Sequence, residues 1–177
     1  MQGWFIDGGL RIIMKFDMER KVASQELICI ELNDAADDFL IGMIEACDEE
    51  GILILNIDYR GIATGHIYLH DDRVEGIIDE PYYVSRVKIL QKSRENAEHL
   101  RTFSQNENIR EQFLKWVYKE HEMIQIEFPD EQLQGFICGI EEDYIVLEIV
   151  DEITGKRNGY SAIYKDKLLY MIQRIAN

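Results

Sequence analysis

Apolar and polar residues alternate along two stretches of the chain, and a period of two is typical of β-strands that bury one face. In the first stretch we predict five strands, at Glu26–Leu32, Phe39–Cys47, Gly51–Asp58, Gly65–His70 and Val74–Asp79. In the second stretch we predict five more, at Met123–Phe128, Leu133–Ile140, Tyr144–Val150, Tyr160–Lys165 and Leu168–Ile175. Clusters of Asn, Asp and Gly separate these segments, as turns require. The fold class is therefore predicted to be mainly β with helical segments.

The two stretches also repeat one another. Three segments align in the same order, residues 29–34 on 125–130, 41–58 on 134–151 and 66–71 on 162–167. Gly42 and Gly135 fall opposite each other, inside the second predicted strand of each copy. A glycine there often marks a sharp bend or a close backbone approach, and short, sharply bent strands suit a small barrel. We predict two small five-stranded barrels in tandem, and the sequence leaves open a single larger sheet in which the repeat is accidental.

Residues 91–120, between the copies, are rich in helix formers and contain neither Pro nor Gly. One face of the predicted helix is apolar and consists of Ile109, Phe113, Trp116 and Val117. This pattern is typical of a helix that packs on a core, and Asn106 or Asn108 can cap its first turn.

Four segments follow from these patterns. They are an N-terminal extension over residues 1–23, a first barrel over 24–90, a helical linker over 91–120 and a second barrel over 121–177. The sequence does not determine whether translation starts at Met1 or at Met14.

A leading helix, five short strands and a glycine in the second strand resemble the Sm-like family, which includes eukaryotic Sm and LSm proteins and bacterial Hfq. The family's first motif places an acidic residue six positions after that glycine. Gly42 and Asp48 match it in the first copy, and Gly135 and Glu141 match it in the second. The resemblance implies two Sm-like barrels, whose fourth and fifth strands would pair edge to edge with those of neighbouring barrels.

The Hfq-type second motif, Tyr-Lys-His, is only partly present. The second copy has Tyr164 and Lys165, followed by Asp166 where the family has histidine, and the first copy has only Tyr68. The resemblance therefore gives a small set of candidate RNA-binding residues, Tyr164, Lys165, Lys167, Tyr68 and His70.

The usual uridine pocket of the family is not expected in either copy. Ile52 and Ile145 stand where Sm proteins have the base-binding asparagine, and Glu50 and Asp143 stand where Hfq stacks a base on an aromatic ring. Carboxylates beside a phosphate chain repel it.

The net charge of −15 also makes nucleic-acid binding unfavourable. Residues 24–90 carry −11 and residues 121–177 carry −6, whereas the segments 1–23 and 91–120 each carry +1. Nucleic-acid binding normally requires a basic surface. Cys29, Cys47 and Cys138 lie far apart in apolar runs, which predicts reduced, buried thiols in a cytoplasmic protein.

No motif for catalysis, for a nucleotide cofactor or for a metal centre is present in the sequence. His66 and His70 would lie about 13 Å apart on a strand, too far to share a metal ion. His70 with Asp71 and Asp72 could hold a cation in a turn, although a solvated turn is the simpler interpretation. No metal site and no cofactor are therefore predicted.

The sequence favours a non-catalytic scaffold or protein-interaction module that assembles through strand edges. Self-association or binding to another protein is expected, and neither DNA nor a membrane is expected as a partner. The main alternative is an Sm- or Hfq-like protein that binds RNA through a non-standard surface. A third class, an enzyme without a recognisable motif, would require a ligand-sized pocket lined by acidic side chains with perturbed pKa values.

Overall fold

The computed structural model describes residues 20–33, 39–78, 82–90, 96–104, 107–129 and 131–175. Five strands form a first unit, β1 (Leu27–Leu32), β2 (Phe39–Cys47), β3 (Gly51–Ile57), β4 (Ala63–His70) and β5 (Val74–Ile78). Five more form a second unit, β6 (Met123–Glu127), β7 (Gln132–Ile140), β8 (Tyr144–Val150), β9 (Arg157–Tyr164) and β10 (Tyr170–Arg174). The mainly β fold class is confirmed, and every predicted strand is present at close to its predicted bounds.

Two helices have full bounds within the described residues, α1 (Tyr82–Leu90) and α2 (Ile109–Glu120). Residues 20–24 are also helical and lead into β1. The Oδ1 atom of Asn108 accepts a hydrogen bond from the backbone N–H of Glu111 at 3.0 Å, so Asn108 is the N-cap of α2. The other candidate cap, Asn106, lies outside the described residues.

All ten described strands are antiparallel and form one open sheet, in the order β5-β1-β2-β3-β4-β10-β6-β7-β8-β9. Within each unit the fifth strand pairs with the first, because β5 pairs with β1 and β10 pairs with β6. The two units are joined by β4 and β10, with Tyr68 opposite Met171 and Ile67 opposite Ile172. The strand order of the first unit is thus repeated in the second.

The strand pairing corrects one part of the sequence alignment. Ile52 pairs with Leu69 in the first unit, and the aligned Ile145 pairs with Ile163 in the second. Leu69 is therefore equivalent to Ile163, and His70 rather than Tyr68 is equivalent to Tyr164. The alignment of residues 66–71 on 162–167 was displaced by two positions, which preserves the face of each side chain. Because every side chain stays on the same face, a pattern with a period of two could not reveal the displacement.

Gly42 and Gly135 lie at close backbone contacts, as predicted. A Cβ atom at Gly42 would overlap the carbonyl oxygen of Leu55, and one at Gly135 would overlap the carbonyl oxygen of Glu148. These contacts are the same β2–β3 and β7–β8 crossing in the two units. Any side chain there would force the two strands apart.

Each unit has a buried cluster formed mainly by its own strands. In the first unit it includes Ile28, Ile44, Ile54, Ile67 and Leu69. The cluster of the second unit includes Ile126, Ile137, Ile145, Leu147 and Ile163. The buried face of α2, predicted from its periodicity and confirmed here, joins that second cluster together with Leu53 and Tyr68 of the first unit. The helix is therefore packed between the two units.

The prediction of three buried thiols holds in full for only one of them. Cys29 is buried and Cys47 is half-buried, but Cys138 is exposed. The register of β7 against β8 shifts between Ile137 and Gly139, so Cys138 sits at a bulge and points away from the buried cluster. Burial raises the pKa of the Cys29 thiol, which keeps that side chain protonated.

Candidate functional site at the junction of the two units

A groove of about 680 Å³ lies where the two units meet. The β2–β3 turn and the end of β4 contribute one wall, and the β7–β8 turn and the end of β9 contribute the other. Arg110 and Glu111, in the first turn of α2, complete it. The groove thus collects the turns from the same end of both units.

Three of the candidate RNA-binding residues line this groove, namely His70, Tyr164 and Lys165. The other two do not. Tyr68 is fully buried beneath α2, and Lys167 lies outside the lining with 67% of its side chain exposed, 3.4 Å from Asp166. The structure thus brings three of the five residues together, and the sequence could not distinguish the buried tyrosine from the exposed one.

The side chain of Lys165 is buried and paired with a carboxylate. Its residue exposure is 8%, and its Nζ atom donates to the Oε2 atom of Glu111 at 2.9 Å. Its carbonyl oxygen accepts from Arg110 at 3.1 Å. A lysine held in this way locks α2 to the second unit and presents little positive charge to a phosphate.

Arg110 connects the two units across the groove. One guanidinium nitrogen donates to the Lys165 carbonyl in the second unit at 3.1 Å. Another lies 3.0 Å from the Oε2 atom of Glu50 in the first unit. Sequence analysis missed this residue because its two partners lie far away along the chain.

The groove is acidic. The carboxylates that line it belong to Glu50, Asp72, Glu111, Glu142, Asp143 and Asp166. Arg110 and Lys165 are the only arginine and lysine side chains among the described residues of the lining. Acidic side chains therefore outnumber the lysine and arginine side chains of the groove that Tyr164 and Lys165 line.

Burial raises the pKa of Tyr68 far above the usual value for tyrosine. Its hydroxyl group has no hydrogen-bond partner among the residues that the structure describes. Tyr68 thus remains a neutral core side chain, whereas Tyr164 at the end of β9 is 64% exposed.

His70, Asp71 and Asp72 place one potential metal-ligand atom each within 4.8 Å of one another. The Nδ1 atom of His70 accepts a hydrogen bond from the backbone N–H of Asp72 at 3.2 Å. That bond caps the short helical turn Asp71–Arg73. The three residues thus form a short capped turn at the end of β4.

A buried, hydrogen-bonded pair of polar side chains lies beneath α2 and was also missed by sequence analysis. The Oε2 atom of Glu45 is 2.8 Å from Nδ1 of His66, and both side chains are almost completely buried. The Oε1 atom of Glu45 accepts from the backbone N–H of Arg101 at 2.6 Å. The imidazole ring meets the indole ring of Trp116 edge-on, with centroids 4.9 Å apart. The pair anchors the 96–104 segment and α2 to the first unit.

Comparison of the chain with protein-family models, with curated proteins and with solved structures gives no match. No helix in the described ranges is long and apolar enough to cross a membrane.

Proposed function

We propose that this protein is a non-catalytic scaffold built from two Sm-like five-stranded barrels, whose copies assemble through the edges of β5 and β9. The observation that carries the proposal is the pairing of β4 with β10 inside the chain. One unit already recognises the other by strand addition there, and the two strands at the ends of the sheet are the counterparts of those that pair.

The correspondence of the end strands follows from the register. Among the described residues β9 pairs only with β8, and it is the fourth strand of the second unit, as β4 is of the first. β5 pairs only with β1 in the same ranges, and it is the fifth strand of the first unit, as β10 is of the second. A β9 edge can thus receive the β5 edge of another copy in the way that β4 receives β10.

The expected register can be stated by residue. Tyr68 lies opposite Met171 at the internal junction. The strand equivalences place Ala162 where Tyr68 lies and Ile77 where Met171 lies. We therefore expect Ala162 of one copy to lie opposite Ile77 of the next.

Strand-edge physics supports assembly. An edge strand presents unpaired N–H and C=O groups that template the addition of another strand. A contact between two different edges is heterologous, so it closes a ring where the rotation between copies permits and otherwise grows a filament. Three copies would supply six units to such a ring.

Support for the Sm-like part of the proposal comes from repeated details. Both units have the strand order fifth, first, second, third, fourth. Both cross their second and third strands at a glycine, Gly42 or Gly135. Both begin with a helix followed by a residue with positive φ, Gln25 at 52° and His121 at 55°.

The acidic groove and the engaged Lys165 weigh against the RNA-binding alternative. That alternative predicts nucleic acid in the purified protein and its loss in Lys165→Glu. The scaffold proposal predicts a nucleic-acid-free peak by the ratio of absorbance at 260 and 280 nm, with a mass of several chains by light scattering.

Cysteine cross-linking tests the edge contact directly. In a background of Cys47→Ser and Cys138→Ser, chains with Ile77→Cys and Ala162→Cys together should form a ladder of oligomers with a short bifunctional maleimide. Either substitution alone should give no cross-link, because position 77 of one copy faces position 162 of the next and a single variant has no second cysteine there. A double variant that stays monomeric at the concentration where the parent elutes as an oligomer would overturn the edge pairing.

A further inference from the structure

α2 covers the outer face of the first unit at β3 and β4. Leu53 and Tyr68 on that face are completely buried, and both belong to the cluster that contains the buried side chains of α2. His66 is 1% exposed and lies against Trp116, with ring centroids 4.9 Å apart. α2 leads directly into β6 of the second unit. The helix that precedes one unit thus seals the neighbouring unit.

The equivalent face of the second unit is open. Strand pairing makes Tyr160 the counterpart of His66 and Tyr164 the counterpart of His70. Tyr160 is 69% exposed and Tyr164 is 64% exposed. Tyr144 lies beside Tyr164, with ring centroids 6.4 Å apart, and is 37% exposed. We call Tyr144, Tyr160 and Tyr164 the tyrosine face. Several exposed aromatic rings grouped on one face mark an interaction surface.

The first unit is preceded by a helical segment that corresponds to α2. The helical residues 20–24 end at Gln25 with a φ of 52°, and α2 ends at His121 with a φ of 55°. The strand β1 begins two residues after Gln25, as β6 does after His121. This equivalence puts Arg20 at the position of Trp116, the side chain that covers His66.

We propose that the tyrosine face binds the helical segment 20–24 of a second copy of this chain, with Arg20 of that copy placed over Tyr160. The inference rests on the proposed edge assembly, because pairing β9 with the β5 strand of another copy brings that copy's segment over this face. The internal junction shows the arrangement, since the pairing of β4 with β10 coincides with α2 covering β3 and β4.

The chemistry of the two surfaces is complementary. Arg20 is exposed, and a guanidinium stacks favourably on a tyrosine ring. The hydroxyl of Tyr160 donates to Oε1 of Glu148 at 3.2 Å. The same carboxylate oxygen lies 3.2 Å from a guanidinium nitrogen of Arg157, so the attraction for Arg20 comes from the ring of Tyr160 rather than from a free carboxylate. The contact within the chain uses tryptophan on histidine, and the contact between chains would use arginine on tyrosine.

Removal of the proposed contact should weaken self-association by a measurable factor. Tyrosine and arginine dominate binding energy at interfaces, and truncation of a central one typically weakens association about tenfold or more. Tyr160→Ala and Arg20→Glu should each raise the dissociation constant for self-association by that factor in sedimentation. Tyr59→Ala is the matched control, because Tyr59 is 79% exposed in the β3–β4 turn, away from the face. It should leave the dissociation constant unchanged.

Cross-linking separates this inference from the proposed function. In the same Cys47→Ser and Cys138→Ser background, and at a protein concentration well above the raised dissociation constant, full-length chains with Arg20→Cys and Tyr160→Cys should give an oligomer ladder, as the Ile77→Cys and Ala162→Cys chains should. A ladder from both pairs supports the docking. A ladder from the edge pair alone overturns the docking and leaves the edge assembly standing, and no ladder from either pair overturns both.

One further outcome assigns the face to a different partner. If Tyr160→Ala leaves self-association unchanged but removes nucleic acid that copurifies with the parent protein, the rings stack on bases and the docking inference is wrong.

Discussion

The side chain of Asp48 accepts a hydrogen bond from the backbone N–H of Ile109 at 2.8 Å, which fixes the start of α2 to the β2–β3 turn of the first unit. Its other oxygen accepts from the N–H groups of Glu50 and Gly51 at 2.9 and 3.0 Å. One carboxylate therefore satisfies three backbone donors and holds the helix in place between the two units.

Replacement of Asp48 by alanine should lower the free energy of unfolding by about 2 kcal/mol, because partly buried backbone donors lose a charged acceptor. Urea unfolding should show a lower midpoint with an unchanged slope. Glu141→Ala is the matched control at the aligned position of the second unit, where the side chain is exposed. A midpoint equal to that of the parent would contradict the role given to Asp48.

The buried pair of Glu45 and His66 should show strong coupling. Glu45→Ala should destabilise the protein by about 3 kcal/mol, since it leaves the imidazole and the Arg101 N–H without their acceptor. The double variant Glu45→Leu with His66→Leu should recover part of that loss, because apolar side chains can replace both members of a buried pair. Together with the single variants Glu45→Leu and His66→Leu, this double variant completes a double-mutant cycle, and urea unfolding measures the coupling. Additive effects would mean that the two side chains stabilise the fold independently.

Tyr68→Phe should change the stability by less than about 0.5 kcal/mol or raise it, because the hydroxyl has no partner among the described residues and its burial is costly. Thermal unfolding is a sufficient measurement. Tyr160→Phe serves as a comparison, since it loses the bond from the Tyr160 hydroxyl to Glu148 at 3.2 Å. A loss above about 1 kcal/mol for Tyr68→Phe would show that a bound group satisfies this hydroxyl.

The lowered pKa of Asp58, in the β3–β4 turn, predicts that the stability of the protein depends on pH. Burial acts to raise its pKa, but hydrogen bonds from Ile62 and Arg60 outweigh burial and hold the pKa below the usual value. Stability from the ionised carboxylate is therefore complete above the unfolded pKa of about 3.9 and is lost as the pH falls through the lower folded value. Asp58→Asn should cost about 1 kcal/mol at pH 7, and the difference from the parent should disappear in urea titrations near pH 2. A difference that is independent of pH would contradict this origin.

The alternation of apolar residues was sufficient to locate the strands, because a period of two depends only on which face of a strand is buried. It was also sufficient for α2, whose buried residues Ile109, Phe113 and Val117 recur at helical spacing. These are local properties, and the chain specifies them without reference to distant partners.

The same periodicity could not determine which residues of β4 and β9 are equivalent in the two units. A displacement by two residues leaves every side chain on its original face, so Tyr68 and Tyr164 looked equivalent although one is buried and the other is 64% exposed. Only the hydrogen-bonded pairing of Ile52 with Leu69 and of Ile145 with Ile163 distinguishes them.

The sequence by itself determined the strands, the helix between the copies and the internal repeat, since each depends on residues close together along the chain. The tertiary structure alone decided how the groove is built, because Arg110 meets Glu50 and Lys165 only when β4 pairs with β10. It also decided that α2 seals the first unit and leaves the tyrosine face exposed. Contacts between distant residues depend on the packing of whole elements, and a pattern with a period of two or 3.6 residues carries no information about which elements meet.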